Sequence, residues 1–201
     1  MILFEKVRWR NFLSTGNDFT EIRLNKSPTT LIVGNNGSGK STLLDALTFA
    51  LFGKPFRGIN KPGLLNSVNE KDCVVEIEFL IGKKSYKIVR GIKPGKFEIY
   101  CDDQLVNQDA SSRDYQEYLE KFILKMNYKS FTQIVVLGSS TFVPFMQLSA
   151  ADRRAIIEDL LDIQIFSSMN VVLKQKLQSI RDSMNDVSHR REVTKVKIDQ
   201  Q

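Results

Sequence analysis

The sequence has few cysteines and no long apolar run. Its two cysteines, Cys73 and Cys101, stand in strand-like stretches and form no CxxC or Cys/His cluster, so neither a zinc site nor a disulfide framework is predicted. No window approaches eighteen consecutive apolar residues, and charges interrupt the N-terminal run MILFEKVRWRNFL. We therefore expect two reduced core cysteines, no membrane segment and a cytoplasmic protein.

The composition suits one globular domain with a smaller appendage. The chain has 201 residues, of which 42% are hydrophobic and 26% charged, and this is enough for a sizeable core. Lys and Arg total 29 against 23 Asp and Glu, which gives a formal net charge of +6. This excess permits a polyanionic partner, although an ordinary basic protein fits the charge equally well.

A phosphate-binding pattern occupies residues 34–41. These residues read GNNGSGKS, a complete G-x-x-x-x-G-K-S motif, or P-loop. Its glycines let the backbone curl so that N–H groups point at phosphate oxygens. Lys40 is the predicted catalytic residue, with its ammonium on the β- and γ-phosphates, and the Ser41 hydroxyl is predicted to coordinate Mg²⁺. The predicted nucleotide-binding residues here are Gly34, Asn35, Asn36, Gly37, Ser38, Gly39, Lys40, Ser41 and Thr42.

The neighbouring residues predict a strand before this loop and a helix after it. Leu31, Ile32 and Val33 form a short apolar run typical of a buried strand, and STLLDALTFALF has apolar residues at helical spacing. The positive end of the helix dipole would add to the phosphate site. The alternative is a glycine turn that binds nothing, and the order of strand, loop and helix argues against it.

The first 105 residues are predicted to be β-rich. Apolar alternation and intervening turn residues predict strands at residues 2–9, 19–24, 74–81, 86–89 and 97–100. Gly, Pro, Asn and Lys residues predict turns or loops between them at residues 14–18, 53–63 and 91–95.

The following segment is predicted to be mainly helical. A helix at residues 112–125 would have one apolar face, made of Tyr115, Tyr118, Leu119, Phe122 and Ile123. Residues 134–137 look like a strand. Residues 149–152 read as the cap of a helix that starts near Arg153.

From residue 166 onward the apolar pattern is that of a coiled coil. Its seam residues recur alternately after four and three positions, at Leu173, Leu177, Ile180, Met184 and Val187. No helix stop signal precedes Gln201, so we expect the chain to end in mid-helix. The alternative is an amphipathic helix that packs on its own domain, because fewer than four clean heptads are present.

A P-loop alone does not distinguish kinases, small GTPases and ATPases. A nucleotide hydrolase needs an acidic residue at the end of a second apolar strand, and the sequence has no convincing one. Glu158 and Asp159 follow an apolar pair, but the apolar residues around them continue at helical spacing. LSAAD, at residues 148–152, begins like the ATP-sandwiching LSGGQ motif but lacks its two glycines.

Three segments carry a family resemblance: RWRNFLS, IVGNNGSGKSTLLDALTFALFG and SFTQIVVLGSSTFVPFMQLSAADRRAIIEDLLDI. Together they resemble the N-terminal half of the SMC- and SbcC-type DNA-repair ATPases. Within that family, ALFGKPFR, LLNSVN, IVVLGSS and VPFMQLS are most similar to the large, ATP-binding subunit of T-even phage recombination endonucleases. The resemblance covers nearly the whole chain, and residues 131–163 are far more specific than the P-loop.

The resemblance implies an α/β fold. Residues 1–165 would form the N-terminal lobe of a P-loop NTPase head of ATP-binding-cassette type, with a β-rich subdomain, and residues 166–201 would begin an antiparallel coiled coil. The acidic strand and the LSGGQ-like motif would lie in a C-terminal half outside this chain. Two heads, each from one copy of the protein, would sandwich two ATP molecules with Mg²⁺.

Partners and further site residues also follow from the resemblance. A nuclease subunit would bind near the coiled-coil base, and ATP-driven head dimerisation on double-stranded DNA ends would regulate it, in the host-cell cytoplasm if a phage encodes the protein. Arg10 and Asn11 would lie close to the nucleotide. Asn66, Ser67 and Val68 would lie near adenosine.

The sequence departs from the family at one metal-binding position. The family usually has a Gln that ligates Mg²⁺ and senses the γ-phosphate, and Ser139 stands in its place. A Ser hydroxyl is shorter, so Ser139 would act through a water or leave the metal site partly open. The metal residues are thus Ser41, from the P-loop motif, and Ser139, from the resemblance.

Basic residues also cluster in the sequence of one predicted hairpin. They are Lys83, Lys84, Lys87, Arg90, Lys93 and Lys96. Such a hairpin can follow DNA phosphates without contacting bases, and the alternative is a solvated edge strand protected by lysines.

The leading hypothesis is the ATPase subunit of a DNA recombination and repair nuclease complex. A chromosome-structuring ATPase of SMC type is the first alternative. A small P-loop kinase is the second, and the absence of a lid-like Arg-rich segment argues against it.

Overall fold

The computed structural model of the protein describes residues 2–106, 112–136, 143–161 and 163–199. The chain divides into two compact units, residues 1–153 and 154–201. The predicted boundary at residue 165 remains a prediction.

A six-stranded antiparallel sheet forms the centre of the first unit, with strand order β2-β1-β3-β4-β5-β6. The strands are β1 (Ile2–Arg10), β2 (Thr20–Arg23), β3 (Cys73–Ile81), β4 (Lys84–Ile92), β5 (Lys96–Cys101) and β6 (Gln104–Leu105). The five strands predicted from apolar alternation are all present. Alternation indicates them well because each strand has one buried face and one solvated face.

The sheet packs one face against helix α1 (Thr42–Phe52), which follows the P-loop directly. The core between them contains Val7 and Trp9 from β1, Ile77 and Phe79 from β3, and Phe49 from α1, none more than 2% exposed. At the C-terminus of α1, Gly53 adopts a left-handed conformation and its N–H donates to the Phe49 carbonyl, which ends the helix. The core therefore holds the P-loop helix on the sheet.

The opposite face of the sheet carries a ladder of ion pairs. Arg8 and Lys87 flank Glu76, at 2.8 and 3.1 Å from its Oε2 atom, and Lys6 lies 3.0 Å from Glu78. Burial alone would raise the pKa of Glu76, but the hydrogen bonds from Arg8 and Lys87 outweigh it and hold the pKa below its ordinary value. Several cations of the sheet are thus already neutralised within the fold.

Short helices follow the sheet. They are α2 (Ser112–Tyr118), which continues into a π-helix (Leu119–Leu124), then α3 (Tyr128–Ile134) and α4 (Ala150–Leu160), with 3₁₀ turns at Lys61–Leu64 and Phe145–Gln147. The predicted cap before α4 is present, since the Asp152 N–H donates to Ser149 Oγ at 3.1 Å.

Two details of the helical prediction are wrong. The predicted single apolar face at residues 112–125 is split, because Tyr115, Leu119 and Ile123 are buried whereas Phe122 is 69% exposed. The split begins in α2, where Tyr118 is already 42% exposed, and continues in the π-helix, whose wider turn changes the spacing of residues on one face. The predicted strand at residues 134–137 is not a strand in its described part, because Ile134 ends α3. Residue 137 lies outside the described residues.

The predicted strand before the P-loop is also wrong for this chain. Residues 30–35 have no regular secondary structure, and Leu31 and Val33 are 84% and 78% exposed. A strand is stabilised by pairing and burial, and in the described part of the chain this segment has neither. In the described part of the chain, the apolar run therefore pairs with no strand.

The second unit contains α5 (Gln164–Asp199), a continuous helix of 36 residues. At 1.5 Å per residue it is about 54 Å long. All five predicted seam residues, from Leu173 to Val187, are exposed by 46% or more. Among the described helices, none combines the length and the apolar composition needed to cross a membrane.

Candidate nucleotide-binding site

The P-loop has the backbone geometry that its glycines were predicted to allow. Gly37 and Gly39 have φ angles of +85° and +90°, which side chains other than glycine rarely adopt. Gly34 gives room to the Ser38 side chain, because a Cβ atom at residue 34 would lie 2.5 Å from Ser38 Oγ and the hydroxyl would have to move. The loop is therefore curled tightly around its own centre.

The curl leaves donors available for an anion. Within the described residues, no backbone carbonyl accepts a hydrogen bond from the N–H groups of Gly37, Gly39, Lys40 or Ser41. Ser41 is the N-cap of α1, yet its hydroxyl makes no capping bond. These groups stand at the positive end of the helix dipole, so the residues present fit a phosphate chain with a bound Mg²⁺.

Lys40 is held over the loop by neutral groups alone. Its Nζ donates to the carbonyls of Gly34 at 2.6 Å and Asn35 at 2.8 Å. No carboxylate of the described chain lies within ion-pair distance of it. The ammonium charge is therefore uncompensated, which fits a lysine awaiting an anionic ligand.

A cleft of about 560 Å³ opens beside the loop, and we call it the P-loop cleft. This volume is in the range of small-molecule sites. Its walls come from the P-loop, the turn after β1 and the segment before β3. The lining residues are Leu13, Ser14, Asn36, Gly37, Gly39, Lys40, Ser41, Thr42, Arg57, Ile59, Gly63, Leu65 and Ser67.

The structure brings some predicted site residues to the P-loop cleft and not others. Ser67 lines it, whereas Val68 is a neighbouring residue that is 85% exposed. Arg10 stacks its guanidinium on the Phe19 ring at 5.1 Å. Ser139 lies outside the described residues. The roles predicted for these four residues stay predictions.

Asn11 and Asn66 are committed to holding the loops of the cleft wall. Asn11 is 1% exposed and its amide nitrogen donates to Asn17 Oδ1 at 3.0 Å. Asn66 is 7% exposed, donates to the carbonyls of Leu13 and Thr15, and accepts from the Val68 N–H. Their predicted contact with nucleotide remains a prediction, and the structure gives both side chains a second, structural role.

Sequence analysis overlooked Asp45 as a residue that shapes this site. Asp45 is fully buried in α1 and pairs with Arg57, a residue of the cleft wall. Its Oδ1 accepts from the Arg57 N–H at 2.9 Å and its Oδ2 from Arg57 Nε at 2.7 Å. The available signal was a single acid inside the apolar helix LLDALTFALF. The pair fixes the loop after α1 against the cleft.

Replacing Asp45 with asparagine should loosen this loop. Asparagine keeps one acceptor but turns an NH₂ group toward the guanidinium, so we expect a loss of about 1–2 kcal/mol in the free energy of unfolding, discounted because Arg57 is half-exposed. Urea denaturation measures the loss, and Asp18→Asn on the exposed turn is the matched control. Equal stability of the two variants would contradict the role given to Asp45.

The basic residues predicted to form one DNA-binding hairpin are not one surface. Arg90 is buried, and Lys87 and Lys96 form ion pairs with glutamates of the sheet. Lys84 and Lys93 stand at opposite ends of β4, a nine-residue strand about 30 Å long. Only separate groups of these cations are available to a polyanion.

Comparison with known proteins supports the site at the family level. Residues 6–201 match the family described as AAA domain. The protein belongs to this family. It is 45% identical over 175 residues to "Exonuclease subunit 2" of Escherichia phage RB69, and 46% identical over 169 residues to the protein of that name in Enterobacteria phage T4. These matches cover 87% and 84% of the chain and 31% and 30% of the relatives.

A solved structure shows the same fold. The Smc head domain with a coiled coil and joint from Pyrococcus yayanosii matches 94% of the chain and 38% of its own, at a TM-score of 0.60 and 24% identity. The predicted resemblance to SMC- and SbcC-type ATPases and to the phage subunit is confirmed, as is the α/β head-lobe fold with a coiled-coil helix. The protein spans about a third of the length of the phage relatives.

Proposed function

We propose that the protein binds and hydrolyses ATP with Mg²⁺ at the P-loop cleft, as the ATPase subunit of a DNA recombination and repair nuclease complex. The observation that carries this proposal is the curled loop with free N–H donors and an uncompensated Lys40 at the mouth of a nucleotide-sized cleft. Membership of the AAA domain family supports it.

Each P-loop group has a role in this reaction. The N–H groups of the loop would hold the phosphate oxygens. Lys40 would give up its hydrogen bonds to two carbonyls, and its ammonium would then neutralise the charge that develops on the transferring phosphoryl group. The Ser41 hydroxyl would hold Mg²⁺, which supplies further charge neutralisation when bound. Ser139 is proposed as the second metal residue.

Hydrolysis needs a group that the described part of the P-loop cleft does not provide. The cleft lining contains no carboxylate to orient a water. We propose that a further segment of the protein and a second copy complete the site, as a dimer of heads around ATP. The exposed Leu31, Ile32 and Val33 suit this proposal, because an apolar run beside the P-loop is ready to pair with strands from such a segment.

The start of α5 supports a protein partner at the coiled-coil base. Two apolar stripes run side by side over its first turns, one with Phe166 and Leu173 and the other with Ile165, Met169 and Val172. All five side chains are at least 51% exposed. A two-stranded coiled coil covers only one stripe. We propose that a nuclease subunit covers the other, in keeping with the name of the phage relatives.

A chromosome-structuring ATPase that acts without a nuclease is the alternative, favoured by the likeness of the fold to an Smc head.

The two functions are distinguished by purifying the tagged protein from its native cell, which is the host cell, and there its cytoplasm, if a phage encodes the protein. The purified protein should carry a nuclease subunit. Its ATP hydrolysis should rise at least about fivefold with linear duplex DNA and less with closed circles, because ends are the proposed partner. Stimulation by both DNA forms without a nuclease would favour the alternative. No hydrolysis and no ATP binding would overturn both.

A further inference from the structure

A second cavity lies at the opposite end of α1 from the P-loop. We call it the rear cavity; its volume is about 290 Å³ and its lining includes Gly53, Lys61, Arg90, Gly95, Lys96 and Phe97. An 11-residue helix separates it from the P-loop by about 16 Å. Three cations and no carboxylate face this space.

Arg90 is the most unusual group of the rear cavity. It is 9% exposed, and its Nε and Nη2 atoms donate to the carbonyls of Ala50 and Leu51 at 2.7 and 3.2 Å. Nη2 also contacts Gln116 Oε1, and the guanidinium carbon lies 3.6 Å from the centre of the Phe97 ring. Every one of these acceptors is neutral. The two carbonyls belong to the last turn of α1, so the negative end of the helix dipole offsets part of the guanidinium charge. No carboxylate of the described chain forms an ion pair with it, so the charge is only partly compensated.

The protonation of Arg90 agrees with this description. Burial lowers the pKa of Arg90 to about 9, and the charge of Glu120 only partly opposes the effect. The guanidinium therefore remains positive at neutral pH. Its third nitrogen, Nη1, has no hydrogen-bond partner among the described residues. It lies against Gly53, where a Cβ atom would be only 3.2 Å away.

Two lysines on the rim add to this positive charge. Lys96 pairs with Glu98 at 2.9 Å, so one of the three charges is partly offset. Lys61 is exposed and forms no ion pair with the described part of the chain. Gly95 leaves the floor open, because a Cβ atom there would meet nothing within 4 Å. The cavity has room for a phosphate group with several waters.

We propose that the rear cavity is a phosphate-binding site, separate from the P-loop cleft. Arg90 Nη1 and the Lys61 ammonium are the cationic donors that no acidic group of the described chain engages, and two such cations favour a multiply charged phosphate over a singly charged carboxylate. The phosphate comes either from the backbone of duplex DNA or from free phosphate. The DNA source rests on the DNA partner proposed above, whereas the free-phosphate source does not.

The first arm of the test uses inorganic phosphate and Lys40→Ala protein, in which the P-loop lysine is absent. The amide resonances of Gly53 and Gly95 should shift and saturate as phosphate is added, and sodium chloride at equal ionic strength should not reproduce this. The double variant Lys61→Gln, Lys96→Gln should abolish the shifts in that background. The double variant Lys83→Gln, Lys84→Gln, with equal charge loss at the far end of β4, should retain them.

The second arm measures binding of a labelled 20-base-pair duplex to the same two double variants with Lys40 intact. The rear-cavity pair should weaken binding at least about tenfold and lower the slope of log affinity against log salt by about two, and the control pair should change affinity less than about threefold. Phosphate shifts without a DNA difference identify free phosphate as the ligand, and the reverse identifies the DNA backbone.

The rear-cavity proposal is overturned if phosphate shifts neither amide resonance and the two double variants bind the duplex equally well. Equal binding of DNA by the wild-type protein and both variants, without phosphate shifts, would overturn it while leaving the DNA partner in place. Neither arm depends on ATP hydrolysis, so a failure of the rear cavity can be distinguished from a failure of the P-loop.

Discussion

Replacing Lys40 with alanine is expected to lower ATP turnover of the assembled enzyme by at least about a hundredfold. The variant removes the only ammonium that the P-loop holds beside its phosphate-facing N–H groups. Losing one such preorganised charge typically costs a factor of 10²–10³ in rate. Turnover is measured as phosphate release at saturating ATP and Mg²⁺.

Lys26→Ala is the matched control for this variant. Lys26 is an exposed lysine of the same unit that does not line the P-loop cleft, so its removal changes net charge equally. The control should keep turnover within about twofold of the wild type. If Lys40→Ala turned over ATP about as fast as the control, the P-loop lysine would have no role in the reaction.

Replacing Arg90 with methionine is expected to reduce the free energy of unfolding by about 2–3 kcal/mol, because the Ala50 carbonyl and Gln116 Oε1 lose a donor and the Leu51 carbonyl keeps only Gln116 Nε2. Methionine keeps much of the volume and the contact with Phe97, so the loss is mainly polar. Arg90→Lys should be intermediate, since an ammonium cannot reproduce the planar fork. Urea denaturation checks both values.

Lys96→Met serves as the control for Arg90. It is a neighbour on β5 with an exposed side chain and one ion pair, so its loss should cost less than about 1 kcal/mol. If Arg90→Met were as stable as the wild type, the buried network at the C-terminus of α1 would not hold the P-loop helix in place.

The P-loop was predictable because its structure is local. The positive φ angles of Gly37 and Gly39 and the start of α1 at Thr42 depend on residues within one turn of each other. The strands were predictable for a related reason, since a half-buried antiparallel strand shows its alternation in its own sequence. Neither inference needs knowledge of distant segments.

The strand predictions failed at two apolar runs whose structure is decided by residues outside the run. Leu31 and Val33 are exposed and belong to no strand of the sheet in the described chain, so the apolar run forms no strand there. Before Ile134, a local signal was overlooked, because Asn127 Oδ1 accepts from the Ser130 N–H at 2.9 Å and caps α3. A helix cap therefore prevailed over the β-branched run that follows.

The hydrogen-bond partners of the buried charged residues could not be predicted from the sequence. Asp45 and Arg90 are recognisable as charges within apolar runs, but Arg90 binds carbonyls 40 residues away, and no spacing predicts that. The same is true of Asn11 and Asn66, whose amides hold loops from different parts of the chain. Local pattern indicates that such residues are special, and only the fold gives their roles.

Binding of ATP to the P-loop cleft is tested most directly by amide hydrogen exchange with and without ATP and Mg²⁺. The prediction is slower exchange at residues 37 and 39–41, whose N–H groups have no backbone partner in the described chain, and no protection in Lys40→Ala. Residues of the β3–β4 turn should be unchanged. Unchanged exchange at residues 37 and 39–41 in saturating ATP would contradict a nucleotide site at this loop.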